Sequence, residues 1–205
     1  QKPIVENLCK GQDVLALLPT GEGKSLCFQL AGLCLGGLTL VVSPLLALIQ
    51  EQVQQLRSKQ LTAWQLSSQL SPEERRGILK NLQSETPIFL YLAPEQLQSQ
   101  ALQTLLRESP PRLLVIDEAH CISQWGNSFR PAYREIGKWL ANWNPRPILG
   151  VFTATAPPAV QTDICEVLQL KEPRVYQGSV LRENIAVRVK RVWTPRGKTG
   201  LLLNT

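Results

Sequence analysis

Leu18-Pro19-Thr20-Gly21-Glu22-Gly23-Lys24-Ser25 is the stretch on which the reading of this chain turns. An apolar run, Val14 to Leu17, leads into it, and a helix-compatible run, Leu26 to Leu35, leads out. A strand, a glycine-bearing turn and a helix start, in that order, make a phosphate cradle. Turn amides and the unpaired first turn of the helix converge on one spot, the helix dipole adds partial positive charge, and Lys24 adds a full one. Ser25 is then placed to hold Mg²⁺. The general pattern has glycine at its first position, where this chain has Leu18, so the match rests on the Gly-Lys-Ser end. Taken alone, the eight residues also fit a plain strand-to-helix turn with a surface lysine. A second Gly-Lys-Thr, Gly197 to Thr199, lacks the upstream glycine turn and follows Pro195 in a basic tail, and is read as coincidence.

Outward from the cradle, apolar runs of strand length alternate with helix-compatible segments. The pattern predicts strands over Asp13 to Leu18, Leu38 to Ser43, Thr62 to Leu66, Ile88 to Leu92, Leu113 to Asp117 and Ile148 to Thr153. It predicts helices over Gln1 to Lys10, Leu26 to Leu35, Leu45 to Ser58, Pro72 to Gln83, Pro94 to Arg107, Pro131 to Ala141 and Pro157 to Leu168, several opening at a proline. Such alternation implies an α/β fold with a mainly parallel sheet covered on both faces, which binds ligands at the carboxyl ends of its strands.

With 205 residues and 43% hydrophobic content, the chain can bury one sizeable core. It begins at Gln1 and has no Met, so it reads as a piece of a longer protein. Five scattered cysteines without a Cys-x-x-Cys spacing argue against a disulfide framework and a zinc site, and a reducing cytoplasm is the simplest setting. His120 is the only histidine, which disfavours a histidine metal site. The longest apolar stretch, Leu30 to Val42, is glycine-interrupted and too short to span a membrane. The formal charge of +6 lies wholly beyond Leu170, where eight basic residues face two acidic ones. A basic tail favours a polyanion, and a solvated terminal segment accounts for it equally well.

A second chemical centre follows the run Leu113-Leu114-Val115-Ile116, which delivers Asp117-Glu118-Ala119-His120 at a strand end. Two adjacent carboxylates beside a phosphate cradle suit magnesium-dependent phosphoanhydride hydrolysis, Asp117 holding Mg²⁺ and Glu118 orienting and deprotonating the attacking water. On its own the pair also fits the cap of a following helix.

With these motifs in place, the sequence resembles the RecQ family of superfamily 2 DNA helicases, specifically the first of its two RecA-like motor domains. Gln1 falls at the family's adenine-reading glutamine, Leu17 to Gln29 at motif I, Val42 to Val53 at motif Ia, Tyr91 to Leu97 at motif Ib, Asp117 to His120 at the DEAH form of motif II, and Thr153 to Pro157 at motif III. Cys121 to Arg134 looks like the aromatic-rich loop that sets RecQ apart from DEAH-box RNA helicases.

The resemblance implies a RecA-like P-loop domain, a three-layer αβα sandwich, over residues 1–180, with residues 181–205 as a linker and the truncated start of a second such domain. It implies ATP and Mg²⁺ as cofactors, single-stranded and duplex DNA as partners with no membrane, and a DNA-associated cytoplasmic protein moving 3′ to 5′. Gln1 would bond the adenine edge, and Thr20, Gly21, Glu22, Gly23, Lys24 and Ser25 would cradle the phosphates. Ser25 and Asp117 would hold Mg²⁺, Glu118 would act as base, and His120, Thr153 and Thr155 would couple nucleotide state to DNA. Trp125, Phe129 and Arg130 would contact single-stranded DNA, for which stacking faces and a guanidinium are suited. Core packing is the other reading of those aromatics, and the polar Gly126-Asn127-Ser128 turn between them favours presentation. Ser43, Pro44 and Gln52 are placed at the DNA backbone, with a helix cap as the other reading of Ser43.

Two positions depart from the family. Asn127 stands where the family usually has a histidine that links the aromatic loop to the nucleotide site, and the coupling is expected to be weaker or differently wired. Glu22 replaces a glycine and is expected to face solvent. The arginine that completes the family's ATP site belongs to the second motor domain, with which this one would close around nucleotide. The same residues leave open a superfamily 2 RNA helicase or remodelling ATPase, and a nucleotide-dependent nucleic-acid-binding module without turnover.

Overall fold

The computed structural model describes residues 1–67, 70–82, 87–125, 128–141 and 143–178. Gly126, Asn127 and the segment from 179 onward, with its basic tail and second Gly-Lys-Thr, lie outside the described residues.

Among the described residues seven strands form one parallel sheet: β1 (Val14–Leu17), β2 (Leu38–Val42), β3 (Thr62–Leu66), β4 (Ile88–Leu92), β5 (Leu113–Ile116), β6 (Ile148–Thr153) and β7 (Arg174–Gln177). Their order is β3-β4-β2-β5-β6-β1-β7. The helices are α1 (Lys2–Cys9), α2 (Lys24–Leu35), α3 (Leu46–Ser58), α4 (Pro72–Asn81), α5 (Gln100–Glu108), α6 (Pro131–Leu140) and α7 (Pro158–Val167).

Alternation along the strands divides the core into two layers, because successive strand side chains point to opposite faces. Leu38, Leu40 and Val42 of β2 join Leu114 and Ile116 of β5 on one face, with Leu102 of α5, Ile136 of α6 and Ile164 of α7. Val41, Leu113 and Val115 face the other way, toward Ile4 and Leu8 of α1, Phe28 of α2 and Val53 of α3. The result is the three-layer sandwich expected of a RecA-like α/β domain. Gly32 of α2 marks how closely that helix lies on the sheet: a Cβ there would stand 2.4 Å from Thr39 Oγ1 and 2.9 Å from the Phe89 ring.

Six strands match expectation to within a residue. The seventh, β7, has no apolar run to announce it, since Val175 points outward at the sheet edge and only Tyr176 is half-buried. The helix expected over Pro94 to Arg107 is two pieces, a 3₁₀ turn over Pro94–Gln98 and then α5, divided at an extended Ser99. Buried Leu97 and Leu102 are five residues apart, so a continuous helix could not bury both with Leu106 on one stripe.

Candidate active site

The sheet order puts β1 beside β6, β6 beside β5 and β5 beside β2, so the loops leaving these four strands share one carboxyl edge. Leu17 pairs with Thr153, and Ile116 pairs with Val42 and Val151. The Lys24 loop, the Asp117-Glu118 pair and the Thr153-Ala154-Thr155 stretch therefore meet by topology, as open α/β sheets bring sites together at crossover points.

Gly23 closes the phosphate loop in the left-handed region, φ 73°, and caps α2, which opens at Lys24 two residues before the apolar run. Only glycine adopts that turn without strain, and a Cβ here would also lie 2.7 Å from Gln1 Nε2. That amide nitrogen donates to the Glu22 carbonyl at 2.8 Å, fastening the start of α1 over the loop. Thr20 and Gly21 are exposed on its rim, and Ser25 follows Lys24 on the first turn of α2. Glu22 does not simply face solvent. It is half-buried, and a Cβ on Gly178 would stand 2.6 Å from its Oε2, so the side chain folds against the end of β7.

Lys24 Nζ lies 3.4 Å from Glu118 Oε1, which joins the cradle to the acidic pair. Glu118 sits at φ 49°, a strained conformation for a residue with a side chain, of the kind that gathers at functional sites. Asp117 is 4% exposed. Its Oδ1 accepts the Glu118 amide at 3.0 Å, its Oδ2 accepts the Ser43 hydroxyl at 3.4 Å, and its backbone carbonyl accepts the Tyr133 hydroxyl at 3.0 Å. Burial first, and the Glu118 charge second, push the Asp117 carboxyl above its ordinary value despite Lys24 nearby.

Glu118 behaves oppositely. Its hydrogen bond to His120, with Lys24 assisting, outweighs burial and holds it below the usual carboxylate range, so it is ionised at neutral pH. His120 Nδ1 is 3.2 Å from Glu118 Oε2 and 3.0 Å from Thr153 Oγ1. The Cys121 sulfur, 3.8 Å from Nε2, and the Glu118 carboxylate push His120 up to about 9, making it a cation at pH 7. The Thr153 hydroxyl donates to the Thr155 carbonyl at 3.2 Å, and the Thr153 carbonyl accepts the Leu18 amide at 2.9 Å. A polar chain thus runs from Lys24 through Glu118, His120 and Thr153 to Thr155, returning to the phosphate loop at Leu18.

The aromatic stretch leaves by the same edge. Trp125 is 80% exposed, and its backbone N–H donates to the buried Ser123 hydroxyl at 3.2 Å. Phe129 is half-buried and lines an open cleft with Pro131 and Arg134. Arg130 reaches across to donate from Nη1 to the Pro44 carbonyl at 3.3 Å, tying this stretch to the loop after β2.

Ser43 and Gln52 do not join that surface. They are 2% and 5% exposed, Ser43 turned onto Asp117 and Gln52 on the buried face of α3, so neither side chain is available to a DNA backbone. Nor is Ser43 a helix cap, since that position belongs to Leu45. Tyr133 and Ser123 are contributors that sequence reasoning passed over, although both lie inside the Cys121 to Arg134 stretch. No described group of three or more His, Cys, Asp and Glu side chains stands ready as a metal cage. No helix among the described residues is long and apolar enough to cross a membrane.

Residues 1–164 match the DEAD/DEAH box helicase family. The chain is 45% identical over 197 residues to the ATP-dependent DNA helicase RecQ of Synechocystis sp., covering 94% of this chain and 41% of that protein. It is 44% identical over 191 residues to the probable ATP-dependent DNA helicase RecS of Bacillus subtilis, covering 93% and 38%. It thus spans about two-fifths of the length of these curated relatives. In fold it resembles the crystal structure of the Pyrococcus furiosus Hef helicase domain, with a TM-score of 0.66 at 22% identity, covering 86% of this chain and 36% of that one. Phosphate loop, acidic pair and relatives agree, and the chain belongs to the DEAD/DEAH box helicase family.

Proposed function

We propose that the chain is the first motor domain of an ATP-driven DNA helicase of RecQ type that moves 3′ to 5′ on single strands. The observation that carries this reading is the junction of Lys24 with Glu118 beside the buried Asp117, at an edge that also exposes Trp125. Lys24 binds the β- and γ-phosphates of ATP, assisted by amides of the Thr20 to Ser25 turn. Glu118, ionised and steered by His120, orients the attacking water and takes its proton. The Gln1 amide, already on the loop, reads the adenine edge.

Mg²⁺ suits the residues present. A buried carboxylate held above its ordinary range by desolvation is relieved by a divalent cation, and Mg²⁺ takes few protein oxygens beside phosphate and water. Asp117 and Ser25 would hold it, and when bound it neutralises charge developing on the transferred phosphate.

Trp125, Phe129 and Arg130 receive single-stranded DNA. His120, Thr153 and Thr155 carry nucleotide state to that surface. Residues 1–180 form this motor domain, and a second RecA-like domain of the same protein supplies an arginine to the ATP site. DNA-stimulated ATP turnover by the intact protein tests the reading. Lys24→Ala is expected to abolish it, and retention of more than about a tenth of the rate overturns the assignment, since oriented electrostatic catalysis supplies orders of magnitude. Greater stimulation by RNA than by single-stranded DNA would move the protein to an RNA helicase.

A further inference from the structure

From the ATP site α1 and α2 lead away side by side in the same direction. At one end Gln1 rests on Gly23; midway Val5 shares a cleft with Leu26, Cys27 and Leu30; at the other end two thiols face each other across the helix pair, Cys9 on α1 and Cys34 on α2. Cys9 is the last residue of α1 and half-buried against the core, while Cys34 is exposed on the last turn of α2. The two thiols lie near enough to interact, and both are free.

Glycine turns follow both helices, Gly11 at φ 81° and Gly36 and Gly37 at φ 67° and 64°, so a small adjustment there need not disturb either helix. No third His, Cys, Asp or Glu among the described residues completes a metal set with them, which leaves the pair as a dithiol.

We propose that Cys9 and Cys34 form a reversible redox site that closes to a disulfide and staples α1 to the phosphate-loop helix. The oxidant is a low-molecular-weight disulfide of the glutathione class. The exposed Cys34 thiolate attacks one of its sulfurs, the S–S bond breaks, and one thiolate leaves. The Cys9 thiolate then attacks the Cys34 sulfur of the mixed disulfide and expels the second thiolate. The protons released by the two cysteines are taken up by the two leaving thiolates, so two protein thiols are oxidised and one small disulfide is reduced. Burial and the neighbouring Cys34 raise the Cys9 thiol above its ordinary value, so Cys9 is the poorer first nucleophile, and the exposure of Cys34 gives that step to Cys34.

The intact protein, exposed to glutathione disulfide, alkylated and digested, tests this by peptide mapping. The expected product is a cross-linked peptide pair holding Cys9 and Cys34, lost on reduction with dithiothreitol, absent in Cys34→Ser and retained in Cys165→Ser. In Cys9→Ser the glutathione adduct is expected to accumulate on Cys34. Alkylation of both thiols after oxidation, a wild-type adduct that stays on Cys34, or absence of an adduct in Cys9→Ser overturns the proposal.

Discussion

Two buried carboxylates stand at opposite ends of the parallel sheet, and their surroundings differ. Asp13, just before β1, is saturated. Arg146 donates to it from both terminal nitrogens at 3.2 and 2.8 Å, and the amides of Leu149 and Lys171 add bonds at 3.0 and 2.9 Å. Asp117, just after β5, has one amide at 3.0 Å and one hydroxyl at 3.4 Å, and lies beside a second carboxylate. A buried charge that is fully paired holds a fold together, whereas one left short of partners is waiting for a ligand. The acid at the amino edge of the sheet is satisfied within the fold, and the one at the carboxyl edge is left with fewer partners.

Exchanging each acid for its amide gives the largest expected contrast. Asp117→Asn removes a charge that burial opposes, so the melting temperature should hold or rise while ATP turnover of the intact protein falls by about 10²- to 10³-fold. Asp13→Asn leaves the part-buried Arg146 without its counter-charge. It should cost on the order of 3 kcal/mol or more in denaturant unfolding, with turnover per folded molecule kept. Reversed outcomes would break the comparison.

A smaller effect is expected at the exposed end of the same edge. Trp125→Ala should leave thermal stability and ATP affinity unchanged, because an 80% exposed side chain contributes little to packing. It should weaken single-strand binding by about 5- to 100-fold, the worth of one stacked base, and remove most of the stimulation of ATPase by DNA. If the variant instead unfolds, Trp125 is a packing residue and the aromatic surface is misread.

Smallest is a pH effect at His120. Its value is raised from 6.5 to about 9 by the Cys121 sulfur and then by Glu118, so the stabilisation from these two contacts is fully present below pH 6.5 and is lost as pH rises through 9. The melting temperature should drift down by a few degrees across that window. His120→Gln should flatten the drift, and a slope that survives the substitution would assign it to another group.

How much was legible beforehand follows from the physics of each element. Strands buried on both faces announce themselves as unbroken apolar runs, which is why β1, β2, β4 and β5 are plain in the sequence. β7 buries almost nothing and, among the described residues, pairs only with β1, so its signal lies in backbone hydrogen bonds. That Lys24 would stand beside Asp117 and Glu118 was foreseeable because cradle and acidic pair are local motifs at strand ends. The Ser43-to-Asp117 bond crosses 74 residues and depends on the β2–β5 pairing, which no local pattern reports. Gln52 belongs to the same class, since its burial follows from which face α3 turns to the sheet. Even Asp13, the best-paired acid, reads in sequence as an ordinary strand-edge residue.

The central claim is that Glu118 is the base of an ATP-hydrolysing centre at the carboxyl edge, and steady-state turnover with saturating single-stranded DNA tests it most directly. In the intact protein, Glu118→Gln preserves the shape of the side chain and its place beside Lys24 and His120 while removing the proton acceptor. The account predicts that the variant still binds ATP and that its turnover drops by about 10²- to 10⁴-fold, the range for loss of a general base. A variant that binds ATP and turns it over at more than about a tenth of the wild-type rate would contradict it.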